Sequence, residues 1–193
     1  KFNYKLMNLK IMKFKNVNST NDIAIKLIQK GKLFSGLVVS KKQKKGRGTM
    51  GKKWISIKGN LFLSIFFKVD LKKIKIENFL VLNANIIKKI LNHYSKNMIK
   101  IKKPNDLIFK KRKICGILQE IVNYKKNKYL IIGIGINTNS SPKSEIFFST
   151  SLKEISGVSI KNLKIVREIK IIYEKLIDDL KNYNFAFIKK KYI

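Results

Sequence analysis

The sequence predicts an α/β domain of the mixed kind, a β-sheet covered by helices. Short segments alternate apolar with polar residues or run apolar throughout, and two longer segments repeat apolar residues at helical spacing. Clusters rich in Gly, Pro, Asn and Asp separate them, as turns between strands and helices require. With 193 residues the chain has room for one full core, so a single domain over residues 1–193 is expected.

Residues 9–17 alternate well enough to form a first strand. Ser19, Thr20, Asn21 and Asp22 then offer N-cap side chains to an amphipathic helix built on Ile23, Ala24, Leu27 and Ile28 and stopped near Gly31. Residues 36–40 read as a buried strand, and 54–57 and 61–67 as strand again. From 74 to 96, Ile76, Phe79, Leu80, Ile86, Ile87, Ile90 and Leu91 mark the long helix expected to cover one face of the sheet. Pro104-Asn105-Asp106 breaks one extended segment from the next, and the strand 114–122 pairs with 129–134 across a polar turn. Beyond Asn139 a turn is expected at 140–142, a capping box from Thr150 to Glu154 opens a short helix, and 162–181 is periodic and amphipathic. The tail ends on Lys189, Lys190 and Lys191.

Forty-four basic residues against 11 acidic ones give a formal charge of +33, a field that attracts polyanions, nucleic acid included. The lysines run from end to end, however, beside heavy use of Ile, Asn and Phe, which share AT-rich codons. Arg47, Arg112 and Arg167 are the only arginines, where a selected phosphate-reading surface would favour the planar guanidinium. Composition bias therefore outweighs a nucleic-acid surface as the reading of the charge. Cys115 is the single cysteine, which excludes an internal disulfide and fits a reducing, cytoplasmic setting. No long uncharged apolar run or signal-type N-terminus is present, so neither a membrane span nor secretion is expected. His93, the only histidine, lacks companions for a metal site and reads as a surface residue at a helix end.

The most informative stretch is residues 41–60. Gly46, Gly48 and Gly51 free the backbone to approach a ligand, and Arg47 with the flanking lysines supplies positive charge, together an anion cradle. The spelling G-x-G-x-x-G, with Asp70 further on, raises a dinucleotide fold, but that fold needs a helix directly after the glycines and strand follows here. A protein-kinase loop fails as well, because no H-R-D or D-F-G occurs downstream.

The order Gly46-Arg47-Gly48, Gly51, Trp54, then Asn60-Leu61-Phe62-Leu63-Ser64 resembles the ligand loop of the biotin protein ligases. Ser19-Thr20-Asn21 after an alternating strand resembles their biotin-binding segment. Lys103-Pro104-Asn105-Asp106-Leu107 with Arg112-Lys113 through Gly116-Ile117-Leu118 to Glu120 resembles their K-W-P-N-D-L and R-K-x-x-G-I-L-x-E motifs, and Gly133-Ile134-Gly135-Ile136-Asn137 their G-I-G-I-N. The motifs stand in the family's order over residues 19–139.

The resemblance implies the catalytic-domain fold shared by biotin and lipoate ligases and related to class II synthetase cores. It implies an ATP- and Mg²⁺-dependent ligase that forms biotinyl-5'-adenylate and passes the biotinyl group to a lysine of an acidic biotin carboxyl carrier protein. Lys113 and Arg47 carry the catalytic charge on that reading. Ser19, Thr20, Asn21, Gln43, Gly46, Arg47, Gly48, Thr49, Lys113 and Gly116 bind biotin or the adenylate, and Trp54, Asn105, Asp106 and Asn137 bind nucleotide. Trp54 either stacks near adenine or anchors packing, and Asn105 and Asp106 either contact nucleotide and Mg²⁺ or only make a turn; no protein metal site beyond the ATP-borne Mg²⁺ is assigned. Glycine freedom suggests a loop that orders on binding.

Two departures from the family pattern bear on affinity. Thr49 stands where many members carry Arg, and Lys103 where Trp is usual before Pro-Asn-Asp. The chain is also expected to lack the N-terminal DNA-binding domain and the C-terminal small β-domain, which makes specific DNA binding unexpected and a monomer or weak homodimer the expected state. The rival readings are a lipoate-type ligase, a decayed relative that binds biotin without activating it, and a basic nucleic-acid-binding protein.

Overall fold

Strand and helix alternate through the first half of the chain: β1 (Ile11–Phe14), α1 (Thr20–Gln29), β2 (Gly36–Ser40), β3 (Leu61–Val69) and α2 (Ile76–Asn92). Four strands follow, β4 (Lys100–Lys102), β5 (Asp106–Phe109), β6 (Arg112–Tyr124) and β7 (Asn127–Ile136), and then α3 (Leu152–Ser156), α4 (Asn162–Asn182) and α5 (Phe185–Tyr192). The structure is a computed structural model that describes residues 7–96, 98–143 and 147–193. Among these residues one mixed sheet runs in the order β1-β2-β3-β7-β6-β5-β4. The β1/β2 pair is parallel, which requires the crossover that α1 supplies, and the other neighbours are antiparallel.

The expected mixed α/β architecture is therefore observed, and side-chain alternation explains its two layers. Leu63, Ile65 and Phe67 of β3, with Leu130, Ile132, Ile134 and Ile136 of β7, point to one face and pack under α2 and α4 around Phe79, Ile87, Ile169 and Tyr173. Phe66 and Ile131, on the opposite face, meet Ala24 and Ile28 of α1. Because β3 is buried on both sides it reads as a nearly continuous apolar run, as central strands do.

The larger core contains a buried polar relay. The Tyr173 hydroxyl donates to Asn83 Oδ1 at 2.8 Å, and Asn83 Nδ2 donates to Gln119 Oε1. Replacing Tyr173 by Phe leaves the Asn83 oxygen without its buried donor and is expected to cost about 1–3 kcal/mol, measured by urea denaturation.

Several boundaries differ from the sequence expectation. Residues 54–57 form an extended loop rather than a strand, because their backbone pairs with the loop base, Trp54 N–H donating to Gly46 C=O at 2.9 Å, instead of with the sheet. The first strand is only four residues long, followed by an isolated bridge between Val17 and Gln43. β6 extends two residues further at each end than 114–122. The tail is helical: Asn184 caps α5 by accepting the Phe187 N–H, and Ile188 is buried under it. Of the expected capping box, Ser151 accepts the Glu154 N–H, while the Glu154 carboxylate turns to the Ser141 and Thr150 hydroxyls.

Candidate active site

On the face that α1 covers, the positions next to Phe66 and Ile131 change from large to small. Ser64 on β3 pairs with Gly133 on β7, and Gly135 on β7 pairs with Gly116 on β6, so a run of small residues lies between the larger Phe62 of β3 and Leu118 of β6. The sheet thus opens into a cavity of about 900 Å³, roofed by the loop between β2 and β3. Two side chains are laid directly on the bare backbone. A Cβ at Gly133 would stand 2.4 Å from Asn21 Oδ1, and one at Gly135 would stand 2.4 Å from Trp54 Cε2.

Lys113 reaches this cavity through a β-bulge. Leu107 pairs with Cys115 and Ile108 with Lys113, so Ile114 is the extra residue of β6. Ile114 and Cys115 both turn into the core under α2, and Lys113 is swung to the open face. Its Nζ lies 2.7 Å from Asp106 Oδ1 and 5.3 Å from the centre of the Trp54 ring. Directly behind it, burial pushes the Cys115 thiol well above its ordinary range, against the opposing pull of the Lys113 cation. Cys115 should therefore resist iodoacetamide in the folded protein at about pH 8 and react fully once denaturant exposes it, as followed by intact mass.

The roof loop is tied down at its base and at Arg47. Gln43 Oε1 accepts the Thr20 N–H at 2.9 Å, and Gln43 Nε2 donates to Ser56 Oγ at 3.2 Å. Arg47 forks onto Glu120, with both contacts at 2.8 Å, and its Nη2 also reaches Asp22 Oδ1 at 2.8 Å. Met50 and Gly51 take positive φ at the loop tip, and Gly48 N–H donates to Lys52 C=O at 2.7 Å.

Thirteen of the residues expected at the site border this one cavity: Ser19, Thr20, Asn21, Gln43, Arg47, Gly48, Thr49, Trp54, Asn105, Asp106, Lys113, Gly116 and Asn137. Gly46 does not. It is buried at the loop base, where a Cβ would stand 2.7 Å from the Trp54 carbonyl oxygen, so its place is in the packing. Ser19 occupies the N-cap position of α1 without a side-chain cap bond, which leaves its hydroxyl for other partners. Asn105 spends its amide on the Ile117 carbonyl at 2.8 Å, the role of a turn anchor. Trp54 packs on the glycine floor and lines the cavity, with its Nε1 buried and without a hydrogen-bond partner among the described residues. Lys103 is exposed and outside the cavity wall, so it does not place a charge there; Lys102 lines the wall instead.

Sequence reasoning named Asp22 only as a cap and Glu120, Ser64, Gly133 and Gly135 only within motifs, and assigned none of them to the site. Two-residue spacing was the available signal: Gly133 and Gly135 share one face of β7, and Gly116, Leu118 and Glu120 one face of β6.

Among the described residues, six cationic side chains, Arg47, Lys52, Lys53, Lys102, Lys111 and Lys113, and one carboxylate, Asp106, line the cavity. Such a lining suits a ligand with more than one negative charge. Among the described residues no cluster of three or more His, Cys, Asp or Glu side chains is placed to hold a metal.

The chain resembles known proteins over most of its length. It is 30% identical over 179 residues to the bifunctional ligase/repressor BirA of Bacillus spizizenii, covering 90% of this chain and 55% of that protein, so it spans little more than half the length of this curated relative. The biotin protein ligase from Aquifex aeolicus, solved in complex with biotin and ATP, superposes with a TM-score of 0.76 at 27% identity, over 94% of this chain and 76% of that one. The biotin protein ligase from Leishmania major, solved in complex with biotinyl-5-AMP, gives 0.75 at 23% identity over 95% and 79%, a likeness that shows the fold alone. The profile of the Biotin/lipoate A/B protein ligase family matches residues 13–137, which hold the loop, the glycine floor and Lys113, and the chain belongs to that family.

Proposed function

We propose that this chain activates biotin with ATP and transfers it to a lysine of an acidic biotin carboxyl carrier protein. A biotin carboxylate oxygen attacks the α-phosphorus of ATP and pyrophosphate leaves; the lysine amine then attacks the acyl carbon and AMP leaves. The observation that carries this reading is that Arg47 and Lys113, brought from a loop and from a bulged strand, border one cationic cavity whose other wall is the polar Ser19, Thr20, Asn21 and Gln43 cluster. Bringing a carboxylate against a triphosphate is chiefly a matter of neutralising and aligning two anions, and cations held before the ligands arrive supply that without reorganisation. The Lys113 Nζ is the compact charge suited to the developing negative charge at phosphorus. Mg²⁺ enters on the ATP phosphates, and among the described residues Asp106, paired in this structure with Lys113, is the lining carboxylate that would face it.

Biotin is favoured over lipoate because the Aquifex aeolicus enzyme that this chain superposes on is a biotin protein ligase. No helix among the described residues is long and apolar enough to cross a membrane. A cytoplasmic reaction by a monomer or weak homodimer, with residues 1–193 as one catalytic unit, belongs to the same proposal. The test is pyrophosphate release from ATP and Mg²⁺ with biotin, with lipoate, or with neither. Release stimulated by biotin is expected; stimulation by lipoate alone would move the assignment to the other branch, and none by either would end it.

A further inference from the structure

The roof loop and the start of α1 meet at one carboxylate. Glu120 accepts Arg47 Nη1 on one oxygen and Arg47 Nη2 on the other, each at 2.8 Å, and its second oxygen also accepts Asn21 Nδ2 at 2.7 Å. A carboxylate only accepts, so this contact fixes which way round the Asn21 amide lies: nitrogen toward Glu120, oxygen toward Ser64. Ser64 Oγ lies between Asn21 Oδ1 and Thr20 Oγ1. Its single proton goes to the amide oxygen, which has none to offer, and the circuit continues through Thr20 to Gln43 and so to the loop base. The Arg47 guanidinium, paired with both Glu120 and Asp22, is thereby held at the edge of the cavity.

We infer that Glu120 is a positioning residue, which locks the roof loop through Arg47 and at the same time sets the orientation of the Asn21 amide at the cavity wall. Asp22 shares only the first of these tasks, since among the described residues its carboxylate bonds to Arg47 and not to Asn21. That asymmetry separates a positioning role from simple charge balance. The part of the inference that concerns biotin rests on the ligase reading; the loop lock does not.

The experiment compares wild type, Glu120→Gln and Asp22→Asn. The amide of the first variant offers one acceptor oxygen where three contacts now converge, and its nitrogen opposes the guanidinium. An arginine-specific protease reads the lock directly, because Arg47 must leave Glu120 to enter the protease, and Arg112 and Arg167, within β6 and α4, are the only other cleavage sites. In ligand-free protein, Glu120→Gln is expected to speed cleavage after Arg47 by about tenfold or more while cleavage after Arg112 and Arg167 stays at the wild-type rate. Biotin affinity by titration calorimetry should fall by about tenfold or more in Glu120→Gln and by less than about threefold in Asp22→Asn.

Unchanged cleavage after Arg47 in Glu120→Gln overturns the lock, and a uniform rise at all three arginines reduces the residue to a general stability role, which overturns it equally. An equal loss of biotin affinity in the two variants overturns the amide assignment. Wild-type protein that binds no biotin at all removes the ligase reading and, with it, the amide's functional meaning, while the protease comparison still decides the lock.

Discussion

Lys113→Ala is expected to lower biotin-dependent pyrophosphate release by about a hundredfold or more, with a smaller change in the apparent affinity for biotin. The bulge at Ile114 delivers this one ammonium to the cavity face, and its Nζ is held by Asp106 at 2.7 Å, so it is in place before ligands enter. Truncation removes a cation and also leaves Asp106 uncompensated in a cavity that, on the proposed reaction, has to admit two anions. These two losses can be separated. In Lys113→Ala/Asp106→Asn the repulsion is gone but the cation is still missing, so ATP binding should recover while turnover stays low. Turnover within about tenfold of wild type in the single variant would show that Lys113 does not stabilise the transition state.

Gly133→Ala is the substitution expected to damage the site most without touching a charge. Its Cβ would stand 2.4 Å from Asn21 Oδ1 and 3.0 Å from the rest of that amide. Asn21 cannot yield easily, being held by Glu120 on one side and Ser64 on the other. The methyl group must displace the amide or push β7 away from α1, and overpacking of this kind costs about 1–3 kcal/mol. Thermal denaturation should register that loss, and biotin affinity should drop by about tenfold or more as the Asn21 amide leaves its place. Gly48→Ala is the comparison: a Cβ there meets Lys52 C=O at 3.3 Å, in a loop with room to adjust, and a much smaller effect on stability is expected.

Most of the architecture was legible from local pattern. The long helices, β2, β3 and the β6/β7 pair each carry their own periodicity, and the burial of β3 on both faces shows directly as an apolar run. Residues 54–57 misled because an apolar-polar alternation looks the same whether the chain pairs with a sheet or with its own loop base. The α5 helix was missed because its signal is short, an Asn184 cap and one buried apolar residue, Ile188, beside three lysines. At the site, thirteen of the fourteen expected residues border one cavity, yet the sequence pattern could not distinguish Gly46, which packs, from Gly48, which faces the cavity.

By itself the sequence determined which segments are strand and which are helix, and which polar and cationic residues are available to a ligand, because these follow from spacing within a few residues. The tertiary structure decided which way those residues point. Lys113 faces the cavity only because one extra residue on β6 reverses the alternation before it, and the hollow exists only because β3, β6 and β7 pair in the register that sets Ser64 beside Gly133 and Gly116 beside Gly135. Arg47 belongs to Glu120, 73 residues away. Register and long-range pairing are settled by packing between segments distant in the chain, and local spacing carries no record of them.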